Sequence, residues 1–168
     1  MSEPRSTTRP RMPDYGIAPE DEGELLPWSW AVERLEASRN YWVATSSADA
    51  VPHLAAVWGV WHDGAFWFST GGRSRKARNL SANPRCSVAP ERADESVVCS
   101  GTAVHVTDDR TIDVVQQLFI AKYGEGFPDP AANPLFRVEP ITVIGIIESE
   151  PEFSTRATRW MFSPAEER

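Results

Sequence analysis

The first 27 residues carry almost no apolar periodicity and hold Pro4, Pro10, Pro13, Pro19 and Pro27, a pattern that predicts an extended, partly disordered arm. From Ser29 the spacing changes. Trp30, Ala31 and Leu35, set against Glu33 and Arg34, predict a short amphipathic helix ending near Asn40. Residues 41–45 are rich in strand formers, and 46–50 read as a turn. Residues 53–61 alternate, with Leu54, Ala56, Trp58 and Val60 on one face and His53, Ala55, Val57, Gly59 and Trp61 on the other. Asp63-Gly64 is a two-residue hairpin signal, because both central positions of that turn need positive φ, and residues 65–70 return as the partner strand. Residues 74–80 read as a short helix that Asn83-Pro84 stops.

Residues 86–90 and 97–106 predict two more strands. Thr107 or Asp108 then caps a helix striped by Ile112, Val115, Leu118 and Phe119. A proline-glycine loop spans 124–134, residues 142–148 read as a buried strand, and 156–162 as a final strand. Sequential antiparallel strands with few helices predict a mainly β fold, a small barrel rather than a doubly wound parallel sheet. The expected organisation is an arm over residues 1–27 and one domain over 28–168.

Composition narrows the classes. The 168 residues carry a net charge of −7, against the basic footprint of a general nucleic-acid binder. No apolar run approaches the ~20 residues of a membrane helix. The opening from Met1 to Pro13 is polar, with no apolar signal-peptide centre. The two cysteines, Cys86 and Cys99, have no CxxC spacing, so neither a disulfide framework nor a cysteine zinc site is expected; a reducing cytoplasm is the expected location. His53, His62 and His105 are scattered without carboxylate spacing, so no metal site is expected. The serines lack a His/Asp pattern for hydrolysis, and no catalytic residue can be named.

The most informative stretch is 71–85, which contains Arg73, Arg75, Lys76, Arg78 and Arg85 and no acid. Most of these cations sit on the first turns of a predicted helix, the end the helix dipole already makes positive. An anion there relieves the repulsion. A phosphate would receive helix-end N–H groups, the Ser74 hydroxyl and charge-assisted bonds, with Ser69 and Thr70 as further donors and Gly71-Gly72 letting the backbone approach. The plain alternative is a solvated basic patch. Neither a Walker loop nor a GxGxxG turn is present.

Ser69-Thr70, Ser74-Arg75-Lys76-Ala77 and Asn83-Pro84, with Pro52-His53-Leu54 to Trp58 upstream and Arg159-Trp160-Met161-Phe162-Ser163-Pro164 downstream, resemble the flavin-binding split-barrel superfamily that includes pyridoxamine 5′-phosphate oxidase. The resemblance covers roughly residues 28–164, and 52–84 is its specific part. It implies an antiparallel split β-barrel of the FMN-binding type, a homodimer, and an oxidoreductase that passes hydride between a bound cofactor and a small conjugated organic substrate. Pro52-His53 and residues 75–80 look most like the branch that uses the deazaflavin coenzyme F-420 more often than FMN; the cofactor expected is F-420 or FMN.

By the same resemblance Ser69, Thr70, Ser74, Arg75 and Lys76 hold the phosphate. The strand through His53, Ala55, Val57 and Trp58 runs along the ring, mainly by its backbone, and Trp160 reaches the partner's site. The polyglutamate tail of F-420 calls for extra cations, for which Arg73, Arg78 and the arm's Arg5, Arg9 and Arg11 are available. The oxidase proper carries an Arg-x-His motif near its C-terminus. Here Arg159 is followed by Trp160 and Met161, which argues against oxidation of pyridoxamine phosphate itself. The alternative in a different class is a non-catalytic carrier or sensor that binds flavin, deazaflavin or haem.

Overall fold

The computed structural model describes residues 3–21 and 23–162. Among these residues nine strands and four α-helices follow one another as β1 (Ser6–Thr8), α1 (Trp28–Ala37), β2 (Asn40–Ser46), β3 (Pro52–Trp58), β4 (Val60–His62), β5 (Ala65–Ser69), α2 (Arg75–Ala82), β6 (Arg85–Pro90), β7 (Glu95–Val106), α3 (Asp109–Tyr123), β8 (Leu135–Ile147), α4 (Glu152–Arg156) and β9 (Thr158–Met161). Every pairing between them is antiparallel. The order across the sheet is β1-β9-β8-β7-β6-β2-β3, and β5, carrying β4, also pairs with β8. The sheet therefore forks along β8. Residues 135–138 take β5, and residues 142–145 take β9. Among the described residues no helix is long and apolar enough to cross a membrane.

The fork has a local cause. Ser100 faces Thr142 while Gly101 faces Pro140, so Ile141 is an extra residue on β8. Such a bulge shifts side-chain parity by one. Before it Phe136 and Val138 point into the core; after it Val143 does. Gly101 sits opposite because a Cβ there would lie 2.2 Å from the Glu139 carbonyl oxygen.

The barrel interior is filled by Tyr41, Val43, Trp61, Phe66, Phe68, Val88, Cys99, Val138, Val143 and Trp160, with Leu35 of α1 against them. A second cluster lies between β4–β5 and α3, where Val60, Ala65 and Trp67 meet Val115 and Phe119. β5 is thus covered on both faces, which is why Ala65-Phe66-Trp67-Phe68 runs apolar without alternation. The hairpin at Asp63-Gly64 forms as its residues require, with φ of 49° and 72°.

Three expectations change. The alternating stretch 53–61 is two strands, broken at Gly59, where a Cβ would lie 2.2 Å from the Phe66 ring. The strand expected over 142–148 begins at Leu135. The arm is extended but docked: β1 pairs with β9, Ile17 and Leu26 are buried, and Arg9 is 1% exposed. The Arg9 guanidinium donates to the carbonyls of Asp21 (3.0 Å), Ser154 (3.2 Å) and Thr155. It is therefore not a mobile cation. Ser163 and Pro164 lie outside the described residues.

Candidate functional site

The acid-free segment folds as a turn leading into α2. Ser74 is the N-cap, its Oγ accepting from the Ala77 amide at 3.2 Å. Thr70 Oγ1 lies 3.2 Å from Ser74 Oγ, so the end of β5 and the start of the helix are tied together. One proton of this hydroxyl pair is used between them, and the other is left for a ligand. The loop 124–134 closes over the turn. Pro134 and Ala132 carbonyls accept from the Thr70 amide (3.3 Å) and the Gly72 amide (2.9 Å). Ser69 Oγ donates to the Asn133 carbonyl at 3.0 Å, so its proton is committed within the protein and the hydroxyl can only accept.

The floor of α2 is polar as well as apolar. Asn79, 5% exposed, donates to Thr45 Oγ1 at 3.0 Å, and Asn83 donates to Ser46 Oγ at 3.0 Å. These bonds seat the helix on β2. Ala77 and Leu80 fill the apolar part of the same contact. Lys76 shares this stripe one turn earlier and is half-buried. Burial pulls its ammonium below the ordinary lysine range. None of Arg73, Arg75, Lys76, Arg78 and Arg85 is in an ion pair among the described residues. Arg78 Nη1 donates to the Arg73 carbonyl, while Arg73 and Arg75 are exposed. The amides of Arg75 and Lys76, first in the helix, have no acceptor within it. The set has the chemistry that an anion requires: several cations, open amides, a spare hydroxyl proton and no carboxylate partner among the described residues.

Beside it stands β3, at one end of the sheet and, among the described residues, paired with β2 alone. Its outer edge therefore leaves alternate backbone N–H and C=O groups without ladder partners. His53 and Ala55 are half-buried and Val57 is buried, all on the inward face. Trp58 points the other way and stacks on Tyr123, ring centroids 4.4 Å apart at 3°. The structure thus groups Ser69, Thr70, Ser74, Arg75 and Lys76 at the start of α2, and aligns His53, Ala55, Val57 and Trp58 on a neighbouring strand. It does not bring Trp160 to them. Trp160 is fully buried, edge-on to Trp28 at 5.4 Å, and its indole Nε1 has no acceptor. Packed so, it offers no surface to a second chain.

The sequence reading did not single out Asn79, and took Asn83 as part of the helix stop and the family motif rather than as a residue that seats α2. The available signal was two amides in the i, i+3, i+4, i+7 stripe that also holds Lys76 and Leu80, where a helix this short would otherwise be apolar. Cys86 and Cys99 are buried thiols pushed up to about 12 by that burial, too high for a nucleophile.

A second face is set apart by its apolar exposure. Trp42 (44% exposed), Leu54 (60%) and Val98 (38%) lie with Ala44 and Ala56 on the outer side of β2, β3 and β7. A groove of about 470 Å³ on this side is lined by Ser46, Arg85, Ser87, Ser100 and Thr142 among others.

The family profile described as pyridoxamine 5′-phosphate oxidase matches residues 31–148. No curated protein matches the chain by sequence. Among solved structures, the chain is similar to the heme storage protein from Vibrio cholerae, 18% identical, with TM-score 0.54 over 67% of this chain and 86% of that one. It is similar to an F-420 reductase, 23% identical, TM-score 0.55, over 66% of this chain and 93% of that one. It is also similar to a FAD-binding protein from Mesorhizobium loti, 19% identical, TM-score 0.58, over 80% of this chain and 94% of that one. At these identities the shared property is the fold.

Proposed function

The chain belongs to the pyridoxamine 5′-phosphate oxidase family, and from that premise we propose that it is an oxidoreductase that holds FMN or the deazaflavin F-420 and passes hydride to or from a small conjugated organic substrate. The observation that carries this reading is the acid-free cation set around Ser74, with Lys76 half-buried and without a carboxylate partner among the described residues. A protein does not bury an ammonium without compensation at no cost, and a phosphate supplies that compensation.

The residues fit the group. Arg75, Lys76, the helix-end amides and the Thr70–Ser74 hydroxyl pair would hold its phosphate. The free edge of β3 would meet the polar rim of a planar ring, and half-buried Ala55 is small enough to lie beneath one. When bound, a flavin or deazaflavin supplies the hydride chemistry, so the protein needs no acid–base pair of its own to qualify as an enzyme. The chain's part is to bind, orient and keep water from the ring. Exposed Arg73 and Arg78 could also hold an anionic tail, and this favours F-420 over FMN; Arg9 takes no part. The outer apolar face of β2 and β3 is of the kind that a second copy covers, so the functional unit is read as a homodimer.

The second reading, a non-catalytic carrier or sensor, draws on His53. This half-buried imidazole on the inner face of β3 is of the type that ligates haem iron. The absorption spectrum and mass of the molecule that copurifies with the protein test both readings. A flavin or deazaflavin, oxidised from its reduced state by enones or quinones, supports the enzyme. A haem band, or a bound flavin that none of them oxidises, supports the carrier. Purified protein that binds neither FMN nor F-420 overturns the proposal.

A further inference from the structure

Away from the start of α2, several polar contacts converge on Gly59, the residue that separates β3 from β4. Lys122, in the last turn of α3, donates from Nζ to the Gly59 carbonyl at 3.1 Å, the Tyr41 hydroxyl at 2.7 Å and the Glu36 carbonyl at 3.3 Å. The Tyr123 hydroxyl accepts from the Gly59 amide at 2.9 Å and lies 2.7 Å from the Arg39 carbonyl and 2.8 Å from that of Gly59. Tyr41 in turn donates to the Leu35 carbonyl. Both polar groups of Gly59 are therefore held by the end of one helix, and Trp58, the last residue of β3, lies flat on Tyr123.

We propose that Lys122 is a positioning residue whose proton pins the end of β3, and so sets how the free edge of that strand is presented to its ligand. This rests on the reading in which β3 lies along the cofactor. A charged ammonium has three N–H groups, and all three have acceptors here, none of them a carboxylate. The charged groups around it are Glu36 of α1, Arg39 before β2 and Glu91 after β6, with the Tyr41 and Tyr123 rings 4.8 Å and 5.6 Å from Nζ. Glu36 and Glu91 favour the proton and Arg39 opposes it, but burial outweighs them and brings Lys122 down to about 8. The neutral amine has two N–H groups for three acceptors and no charge to place against the rings. Once the proton leaves, the carbonyl of Gly59 is held less tightly, so local opening of this turn costs less and the amide that Tyr123 holds exchanges more readily.

The test is hydrogen-exchange protection of the Gly59 amide in ligand-free protein, corrected for the intrinsic rate, from about pH 7 to about pH 9.5, a range that spans the titration. Wild type, Lys122→Arg and Lys122→Met are compared, and FMN affinity is measured over the same range. In wild type, protection and FMN affinity both fall about three- to tenfold through the titration, the scale of one lost hydrogen bond. Lys122→Arg, which stays charged, shows no such step in either. Lys122→Met is low throughout, and if it fails to fold the arginine variant carries the comparison. Lys76 is unchanged in all three proteins, so the difference from Lys122→Arg isolates Lys122. Equal steps in wild type and Lys122→Arg overturn the pin and leave the functional reading intact. A Gly59 step that Lys122→Arg removes, in a protein that binds neither FMN nor F-420, supports the pin and overturns the functional reading.

Discussion

Asn79 Nδ2 donates to Thr45 Oγ1 across 3.0 Å, and both side chains are buried. This bond fixes where α2 sits on β2, and therefore where Lys76, one turn earlier, is held. Asn79→Ala leaves the Thr45 hydroxyl without this donor and should destabilise the fold by about 1–3 kcal/mol. Urea unfolding reads the loss. Asn79→Leu, which fills the space but keeps the hydroxyl stranded, should recover little of it.

Lys76→Ala should weaken FMN or F-420 binding by about 1.5–3 kcal/mol, the scale of a hydrogen bond to a charged group. Arg75→Ala, on an exposed side chain, should cost less. Lys76→Ala should not shift the unfolding midpoint downward, because it removes a half-buried cation that has no carboxylate partner among the described residues. Calorimetric titration with unchanged affinity in both variants would mean that the cluster is a solvated patch.

Binding at exposed cations must weaken as ions screen it, with the Debye length shrinking from about 10 Å at 0.1 M to about 3 Å at 1 M. Ring contacts along β3 are not screened. Cofactor affinity should fall over this range without vanishing. The double variant Arg73→Ala, Arg78→Ala should show a shallower salt dependence than wild type. Parallel slopes would reduce the anion site to Ser74, Arg75 and Lys76.

The outer face of β2 and β3 predicts association. Leu54, 60% exposed between Pro52 and Ala56, is at the middle of it. Sedimentation equilibrium of wild type should give twice 18.7 kDa at micromolar concentration, and Leu54→Arg should give the single-chain mass. An 18.7 kDa species for both would place the apolar face elsewhere in the protein's life.

Asp108 caps α3, its Oδ2 accepting from the Thr111 hydroxyl at 2.7 Å and the Thr111 amide at 2.8 Å. These bonds hold its carboxyl below the ordinary aspartate range in the folded state. The folded protein therefore binds this proton less readily than the unfolded chain. The stabilisation is present above the unfolded value of about 3.9 and is lost as pH falls through the lower folded one. Asp108→Asn keeps a capping oxygen but cannot titrate. The stability difference between wild type and Asp108→Asn should shrink as pH drops below about 4, and a constant difference would remove the assignment.

The parts of this molecule legible in its sequence are those whose cause is local. Asp63-Gly64 makes its hairpin because two adjacent residues accept positive φ. Ser74 and Asp108 cap their helices because the acceptor and the amide it serves are three residues apart. The cation set around α2 was visible for the same reason: charges crowded at a helix start are neighbours in the chain before they are neighbours in space. The alternation of residues 53–58 likewise marked β3 and its two faces.

Tertiary structure decided what depends on partners far along the chain. The arm is polar and rich in proline, yet Arg9 is caged by carbonyls of Ser154 and Thr155, some 145 residues away, and no local pattern announces such a cage. The first half of β8 was missed because the extra residue at Ile141 breaks the period of two that would have marked one long strand. Gly59 interrupts the alternating run because of the Phe66 ring beneath it, and Lys122 reaches that break from a helix 63 residues on. Trp160 looked like a residue free to reach a partner, but the barrel closes over it beside Trp28. A period or a cap needs only the bonds and sterics of neighbouring residues; the burial of a guanidinium or an indole is settled only when distant segments pack, and for these residues the fold was the deciding term.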